Sequence, residues 1–418
     1  MAEGRIPSRG TGKRAHWVYI LHTPCARFLK TSAWYRVPGP GYLAPGTRDR
    51  INAEGRIPST EDRARPPENA HTGFVSCILH LASCILYLYP SRRAVAELRA
   101  APVTSRVLRQ ARRSSKGAAL WELARPFTLI APALGFLSGG LTALGARPPQ
   151  PVDWAHLRFI LVGSLMAAVL NAGSNVLNQV YDVDIDRINK PHRPLPSGRV
   201  SLRTAKVYAG VLLAVGLALA WWVQPLGRPE CFILAATAVG MTWMYSAPPL
   251  RTKRLGIWAN VTIAIPRGWL LKVAGWSSAK TIWGWEPWYI GTIFGLFLLG
   301  ATSTKDFADI EGDRAFGCRT LPVRYGVRRA AQIISPFFIV PFLLIPIGVR
   351  AGILTGHPRL LDALSAVLVA YGSYVVYLML RRPDELATDA NHISWTHMYI
   401  MMVVAQVGFA VAYLVPRG

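Results

Sequence analysis

The sequence predicts an all-α membrane protein, and three observations support this prediction. Hydrophobic residues make up 51% of the 418 residues and charged residues only 17%, a balance more apolar than that of most soluble enzymes. The apolar residues come in blocks long enough to cross a bilayer, which takes about 20 residues of helix. Backbone groups in lipid must be hydrogen-bonded within the protein, and continuous helices achieve this most simply.

Nine apolar blocks follow one another from Phe127 onward and predict about nine transmembrane helices in a bundle. We expect the helices near residues 127–145, 156–180, 205–224, 231–247, 256–275, 287–304, 333–352, 361–380 and 395–415. The loops after the second, fourth and sixth blocks carry most of the basic residues. By the positive-inside rule these loops are expected in the cytoplasm, which indicates a multi-pass protein of a plasma or inner membrane.

Residues 1–115 differ from the rest in composition. They are rich in Arg, Pro and Gly, repeat AEGRIPS at 2–8 and 53–59, and hold one short apolar run at 73–89. We expect this region to be a disordered or spurious N-terminal extension, and residues 116–418 to form the membrane domain.

The net charge of +25 raises the question of nucleic-acid binding. Much of the excess lies before residue 125 or in short loops between apolar blocks, where it serves membrane topology. The sequence contains no RNA- or DNA-binding motif, so we expect no nucleic-acid partner. The five cysteines form no CxxC pair, and we interpret them as free thiols.

The strongest chemical signal is NVLNQVYDVDIDRINKPHRPLPSG, at residues 175–198. Asn178, Asp182 and Asp186 are spaced by four residues and therefore share one face of a helix. Carboxylates one turn apart repel each other, so their position at the end of an apolar helix favours a bound cation. Magnesium prefers oxygen ligands, usually one or two carboxylates together with substrate phosphates.

The second signal is STKDFADIEGDRAFGCRTLPVRYG, at residues 303–326. Asp309 and Asp313 repeat the spacing of four, and Asp306 lies one turn earlier. This cluster follows the sixth block as the first cluster follows the second block, so both are expected on the same face of the membrane. Such internal duplication often indicates a shared substrate site in membrane proteins.

Basic residues are expected near both clusters. The segment YSAPPLRTKR, at residues 245–254, ends the fourth block at two prolines and brings Arg251 and Lys253 to the same face. Lys190 and Arg193 directly follow the first cluster. Arg267 lies inside the fifth block, where a charge is costly and usually faces a cavity. Arginine binds diphosphate oxygens well because its planar group can donate two hydrogen bonds at once.

These motifs resemble the signatures of the UbiA superfamily of intramembrane prenyltransferases. The first motif resembles the N-D-x-x-D-x-x-x-D signature and the second the D-x-x-x-D signature of that family. YSAPPLRTKR resembles its Y-x-x-x-K region, with Tyr245 and either Arg251 or Lys253 in the basic role. The resemblance runs from about residue 120 to the C-terminus and includes the helix count. Gln179 replaces the usual Asp, but its side chain is expected to point away from the acidic face.

The resemblance implies a bundle with a central cavity and the magnesium-dependent transfer of a prenyl group from an allylic prenyl diphosphate to a small-molecule acceptor. The metal ligands that it implies are Asn178, Asp182, Asp186, Asp306, Asp309 and Asp313. The aspartates that it implies in catalysis are Asp182, Asp186, Asp309 and Asp313. For substrate binding it implies Tyr245 and Arg251 or Lys253, and the positions of Lys190, Arg193 and Arg267 described above make these three further candidates.

The acceptor is left open by conflicting sequence cues. The Asn178-Gln179 pair looks like the branch that prenylates homogentisate, and an acceptor of the homogentisate or hydroxybenzoate type is favoured. The string EGDRAFGCRTLPV looks closer to the digeranylgeranylglyceryl phosphate synthase and chlorophyll synthase branches. A transporter or cation-binding protein is the alternative of another class, but it predicts carboxylates near mid-helix. A CDP-alcohol phosphotransferase is a second alternative, but the sequence lacks the D-x-x-D-G-x-x-A-R string expected of that enzyme class.

Overall fold

A computed structural model describes residues 115–387 and 392–416. The predictions for the N-terminal extension, including the apolar run at 73–89, fall outside the described residues. The described part is helical and contains no strand, which confirms the all-α prediction. Six helices of this described part are long and apolar enough to cross a bilayer. They begin at Pro126, Trp154, Leu202, Val327, Pro358 and Ile393.

The first half of the described residues contains eight α-helices. They are α1 (Lys116–Ala124), α2 (Ile130–Gly145), α3 (Trp154–Tyr181), α4 (Val183–Asn189), α5 (Leu202–Trp222), α6 (Glu230–Ser246), α7 (Ile257–Ala264) and α8 (Leu271–Ser277). Asp153 caps the N-terminus of helix α3, because its carboxylate accepts a hydrogen bond from the backbone N–H of His156 at 3.1 Å. Helix α5 begins at Ser201 in the same way, as is usual for short polar side chains at helix N-termini.

The second half contains seven more helices. They are α9 (Trp285–Ala301), α10 (Ile310–Ala315), α11 (Leu321–Tyr325), α12 (Val327–Ile334), α13 (Val340–Arg350), α14 (Pro358–Arg381) and α15 (Ile393–Leu414). A large apolar core joins this half to α2, with Phe297 of α9 in contact with Phe338 and Phe342 at ring-centroid distances of 5.7 and 5.3 Å.

The expected count of nine spans is not confirmed. Two of the predicted spans are short helices, and a third is interrupted. The fourth and sixth predicted spans correspond to α6 and α9, each of 17 residues, which is at the short end of the length needed to cross a bilayer. The fifth is divided into α7 and α8 by a π-helical turn, Ile265–Leu270. Such turns insert an extra residue into a helix and occur often at functional sites.

Glycines allow the helices around the π turn to pack closely. A Cβ atom added to Gly268 would lie 2.4 Å from the Cα atom of Gly295 on α9. One added to Gly139 of α2 would lie 2.9 Å from the Cα atom of Gly275 on α8. Small residues are common where membrane helices approach each other in this way. The packing holds the π turn against α9 and α8 against α2.

Candidate active site

A polar cavity of about 1600 Å³ lies where the acidic motifs meet. Of the side chains predicted to form the site, Arg251 is the one that does not line this cavity. The predicted side chains that line it are Asn178, Asp182, Asp186, Lys190, Arg193, Tyr245, Lys253, Arg267, Asp306, Asp309 and Asp313. The tertiary structure therefore brings together residues that are up to 135 positions apart in the sequence.

Asp182 and Asp309 occupy equivalent backbone positions in the two motifs. Asp182 lies between α3 and α4 with φ −105° and ψ 13°. Asp309 lies between the 3-10 helix Thr302–Ala308 and α10 with φ −114° and ψ 8°. These angles belong to a sparsely populated region in which many active-site residues are found. The helix is therefore interrupted at the central aspartate of each motif, but Asn178, Asp182 and Asp186 still face the same cavity, as their spacing predicts.

The short helices α4 and α10 that follow these two bends contact each other directly. Asn189 at the end of α4 accepts a hydrogen bond from the backbone N–H of Gly312 at 2.9 Å and donates one to the backbone carbonyl of Asp309 at 3.2 Å. The ammonium group of Lys190 lies 2.8 Å from the Asp309 carboxylate. A Cβ atom at Gly312 would lie 2.6 Å from the Asn189 side chain. Glycine at this position therefore permits the approach of the two motifs.

Each carboxylate of the first motif has a basic partner. The Asp182 carboxylate is bound by Lys253 at 2.6 Å and by Arg251 at 3.2 Å, and Asp186 is bound by Arg193 at 2.6 Å. Arg251 also donates to the backbone carbonyl of Tyr181 at 2.8 Å. Because Lys253 lines the cavity and Arg251 does not, Lys253 is the residue that can contact a bound ligand, and Arg251 supports Asp182 from outside the cavity.

The donor set of the cavity suits a hard divalent cation. No group of three His, Cys, Asp or Glu side chains in the described part of the chain is arranged to hold a metal ion by itself. Magnesium, however, usually takes only one or two protein carboxylates and completes its shell with phosphate oxygens and water. Asp186 has a buried Oδ2 atom with no hydrogen-bond partner among the described residues. This orphaned oxygen beside other carboxylates fits such a partial shell.

Burial changes the electrostatics of the second motif. Burial, opposed by Lys305 and reinforced by nearby Asp313 and Asp309, raises the pKa of Asp306 to about 7. Burial likewise raises the pKa of Asp313 to about 6, an effect opposed mainly by Lys253. A carboxyl group with a raised pKa holds its negative charge at a cost. These two side chains therefore favour the approach of a cation.

Two basic residues of the cavity were not predicted from the sequence. Arg125 lines it from the junction of α1 and α2 and adopts a left-handed conformation with φ 55°, which is unusual for a residue with a Cβ atom. Burial and the charge of Arg193 lower the pKa of Arg125 to about 10, against the effect of three aspartates. The second is Lys305, which directly precedes the predicted metal ligand Asp306. Its position next to Asp306 in the sequence could have identified it as a residue of the site.

Gln179, which replaces an aspartate of the family signature, is buried outside the cavity. Its side-chain amide donates to the backbone carbonyls of Leu123 at 2.7 Å and of Asn175 at 3.0 Å. The residue therefore fastens α3 to the end of α1, and it does not line the polar cavity. Its orientation away from the acidic face agrees with the sequence-based expectation.

Two apolar pockets adjoin the polar cavity. The first, with an empty volume of about 650 Å³, lies among α2, α3, α6 and the π turn and is lined by Phe136, Met166 and Leu170 among others. The second, of about 610 Å³, lies between α2 and α15 and is bordered by Trp395 and Tyr399. The cavity system thus combines a charged end with apolar space of the kind that isoprenoid chains occupy.

This chain is similar in sequence to several known proteins. The profile of the UbiA prenyltransferase family matches residues 135–405. Digeranylgeranylglyceryl phosphate synthase of Methanopyrus kandleri is 34% identical over 257 residues, which are 59% of this chain and 84% of that protein. The bacteriochlorophyll synthase 34 kDa chain of Chloroflexus aurantiacus is 32% identical over 297 residues, 69% of this chain and 89% of that protein.

A plant relative represents a third acceptor branch. The probable homogentisate phytyltransferase 2 of rice is 32% identical over 230 residues, which are 53% of this chain and 59% of that protein. Since the three relatives carry the names of enzymes with different acceptors, similarity alone does not select the acceptor of this chain.

Solved structures share the fold. A UbiA homologue from Archaeoglobus fulgidus bound to GPP and Mg²⁺ is similar with a TM-score of 0.53 and 22% identity, covering 70% of this chain and 99% of the homologue. One from Aeropyrum pernix is similar with a TM-score of 0.53 and 20% identity, covering 67% of this chain and 96% of the homologue. With the family profile spanning most of the described residues, these findings show that the chain is an integral membrane prenyltransferase of the UbiA family.

Proposed function

We propose that this prenyltransferase moves the prenyl group of an allylic prenyl diphosphate to an aromatic acceptor of the homogentisate or hydroxybenzoate type, and that the reaction requires Mg²⁺. The observation that carries the proposal is the meeting of two acidic motifs, several cations and two apolar pockets around one cavity. A diphosphate needs the charged end of this space, and an isoprenoid chain needs the apolar end.

The diphosphate would lie among the basic side chains of the polar cavity. Arg125, Lys190, Arg193, Lys253 and Lys305 all line it. Three of them form ion pairs with aspartates at 2.6 to 2.8 Å, so each can turn from a carboxylate to a phosphate oxygen with a small movement. Positive charge placed where the leaving group develops negative charge lowers the barrier to its departure.

The residues that would hold magnesium are those of the two motifs. Asn178, Asp182 and Asp186 supply one set of oxygens, and Asp309 and Asp313 supply the other, with Asp306 in support. When bound, the metal would supply positive charge beside the departing diphosphate. The homologue from Archaeoglobus fulgidus, which binds GPP and Mg²⁺, supports this assignment through its shared fold.

The prenyl chain would extend from the polar cavity into an adjoining apolar pocket. Isoprenoid methylene and methyl groups pack against the apolar side chains of such a pocket through many small dispersion contacts. A pocket inside the bundle also keeps water from the electron-poor allylic carbon that is exposed as the diphosphate leaves. Trp395 and Tyr399, whose ring centroids are 5.0 Å apart, border this space and can contact that carbon with their electron-rich faces.

The reaction at the acceptor would be an alkylation. The bond between the allylic carbon and the diphosphate oxygen breaks, a bond forms between that carbon and a carbon of the acceptor ring, and that ring carbon loses a proton. Transfer to a glyceryl phosphate ether or to a chlorophyllide is the second candidate, and the similarity to the Methanopyrus and Chloroflexus enzymes favours it.

A transfer assay tests this proposal. Protein purified in detergent is incubated with Mg²⁺, labelled geranylgeranyl diphosphate and one acceptor at a time, chosen from homogentisate, 4-hydroxybenzoate, a geranylgeranylglyceryl phosphate and a chlorophyllide. We expect an organic-soluble labelled product with an aromatic acid, and its loss when EDTA is added. Label transferred to the glyceryl phosphate or the chlorophyllide alone would assign the second candidate. No transfer to any acceptor would contradict the proposal.

We further propose that residues 116–418 form the catalytic domain, and that the cavity opens toward the cytoplasm of a cell bounded by a plasma or inner membrane. The basic loops that carry Lys190, Arg193 and Lys253 support this orientation. A chain that lacks residues 1–115 should keep its transfer activity. A single cysteine introduced at the exposed Arg254 should react with an impermeant maleimide from the cytoplasmic side only.

A further inference from the structure

Arg267 is a charged residue in the middle of a membrane helix. It lies on the π turn between α7 and α8, ten residues after the start of α7 at Ile257. At about 1.5 Å of rise per residue this places it about 15 Å along the span, which is close to half the thickness of a bilayer core.

The guanidinium group of Arg267 is exposed within the bundle. No carboxylate or other hydrogen-bond partner for it is found among the described residues, whereas Lys190, Arg193 and Lys253 each bind an aspartate. A charge at this depth is costly and is usually retained for a function, with a partner of opposite charge. A bound ligand can supply that partner.

The position of Arg267 indicates which ligand this is. It is the one described residue that lines the polar cavity and both apolar pockets. It shares the wall between the two apolar pockets with Pro132, Asn171 and Leu271. None of the aspartates of the two motifs lines either apolar pocket. Arg267 therefore lies at the inner end of the polar cavity, where the prenyl group and its acceptor must meet, and away from the ion pairs assigned to the diphosphate.

We propose that Arg267 binds a carboxylate group of the acceptor and so selects aromatic acids over neutral aromatic acceptors. This inference rests on the proposed prenyl transfer and adds the residue that recognises the carboxylate of the second substrate. A guanidinium group matches a carboxylate through two parallel hydrogen bonds. The bond would hold the acceptor ring between Arg267 and the allylic carbon.

Charge balance favours a carboxylate over a phosphate. Arg267 brings one positive charge into an apolar wall, and a carboxylate brings one negative charge. A phosphate monoester carries about −1.5 to −2 at neutral pH and would leave negative charge uncompensated there. The diphosphate of the donor carries more negative charge than a phosphate monoester. The basic side chains that line the polar cavity can neutralise it.

Binding measurements test the inference without requiring turnover. Calorimetry is performed on the full chain in detergent with Mg²⁺ and the unreactive donor geranylgeranyl thiodiphosphate. The probes are 4-hydroxybenzoate and homogentisate, their neutral counterparts 4-hydroxybenzyl alcohol and methylhydroquinone, and an alkylglycerol phosphate. Wild-type protein should bind each acid at least about tenfold more tightly than its neutral counterpart, as expected for one buried charged hydrogen-bonded pair.

The variants are Arg267→Gln, Arg267→Lys and the control Arg350→Gln. Arg267→Gln should bind acids and neutral compounds equally, and Arg267→Lys should keep part of the preference because it keeps the charge. Arg350 lies at the end of α13, pairs with Asp362 at 3.1 Å and lines none of the three cavities, so Arg350→Gln should behave as wild type. Unchanged affinity for the thiodiphosphate shows that each variant is folded.

Several results would overturn the inference. One is a wild-type protein that binds the acids no better than the neutral compounds, and another is a preference that survives in Arg267→Gln. A loss of thiodiphosphate affinity in Arg267→Gln, with Arg267→Lys normal, would assign the residue to the donor instead. Arginine-dependent binding of the alkylglycerol phosphate alone would assign it to a phosphate. A wild-type protein that does not bind the donor analogue would contradict the proposed function itself, and the inference with it.

Discussion

The ammonium group of Lys190 lies 2.8 Å from the carboxylate of Asp309, although the two residues are 119 positions apart in the sequence. Lys190 follows the first acidic motif and Asp309 is the central residue of the second. The contact joins two halves of the site that the chain supplies separately. The cavity therefore depends on the way that α4 packs against α10.

Asp182 and Asp309 are expected to be essential for transfer. Asp182→Asn and Asp309→Asn keep the size of the side chain but remove a negative charge from each motif, so each should lower kcat/KM by at least about 100-fold, or about 3 kcal/mol. Product formation from labelled donor at saturating Mg²⁺ is the measurement. Asp184→Asn is the matched control, because Asp184 is exposed and pairs with Arg187 on the surface. Full activity of either motif variant would remove that aspartate from the assignment.

Gly312→Ala should separate the two motifs while leaving the helices in place. The added methyl group would lie 2.6 Å from Asn189, whose side chain is held by hydrogen bonds to Gly312 and Asp309. We expect the apparent affinity for Mg²⁺ to fall about tenfold or more, with unchanged circular dichroism. Gly317→Ala would be a poor control because its φ of 70° strains alanine, so Gly240→Ala, which meets nothing within 4 Å, is preferred. A normal Mg²⁺ titration for Gly312→Ala would show that the contact is not needed.

Lys253 and Arg251 should differ in their effect on the donor. Both bind Asp182, but Lys253 alone of the two lines the cavity. Lys253→Gln is expected to weaken binding of the prenyl diphosphate about 10- to 100-fold, since a charged hydrogen bond to the ligand is lost. Arg251→Gln should lower kcat through the position of Asp182 and change donor affinity much less. Equal losses of donor affinity in the two variants would contradict this division of roles.

The stability of the metal-free protein should fall as the pH rises. The pKa of Asp306 is about 7 and that of Asp313 about 6, against an ordinary value of 3.8, mainly because of burial. The folded state then binds more protons than the unfolded state between about pH 4 and pH 7, so the free energy of unfolding decreases across this window. Melting temperatures in EDTA at pH 5.5 and pH 8 measure the effect, and Mg²⁺ should raise the melting temperature more at pH 8.

Asp306→Asn provides the control for this titration. The neutral amide removes the larger of the two pKa shifts, so the difference in melting temperature between pH 5.5 and pH 8 should become smaller in EDTA. A pH dependence that is identical in Asp306→Asn and wild type would show that Asp306 does not contribute to it.

Lys272 is expected to be dispensable for stability. It is 3% exposed, and its ammonium group contacts the backbone carbonyl of Gly135 and the Ser138 hydroxyl, both at 3.2 Å, and lies 4.0 Å from the centre of the Phe294 ring. No carboxylate in the described part of the chain pairs with it. Because a well-packed apolar residue often replaces a buried charge without loss, Lys272→Met should melt at the same or a higher temperature. A large fall would show that the polar contacts outweigh the cost of burial.

Much of the fold was open to prediction because membrane insertion imposes strict rules on sequence. An apolar block of about 20 residues must form a helix in lipid, so the long apolar helices from Phe127 onward were located from composition, whereas the short helices α4, α10 and α11 were not. The positions of the acidic motifs at helix ends were predicted for the same reason. The count of spans was harder to predict, since the π turn at Ile265–Leu270 leaves no mark in hydropathy.

The sequence by itself determined the long apolar helices and the two acidic motifs, because these depend on local periodicity and side-chain chemistry. Only the tertiary structure decided that Lys253 rather than Arg251 lines the cavity, that Arg125 joins it from a left-handed turn, and that Arg267 stands where three spaces meet. Such relationships depend on the packing of helices that are distant in sequence. This packing depends on how glycine and aromatic residues on neighbouring helices fit together throughout the bundle.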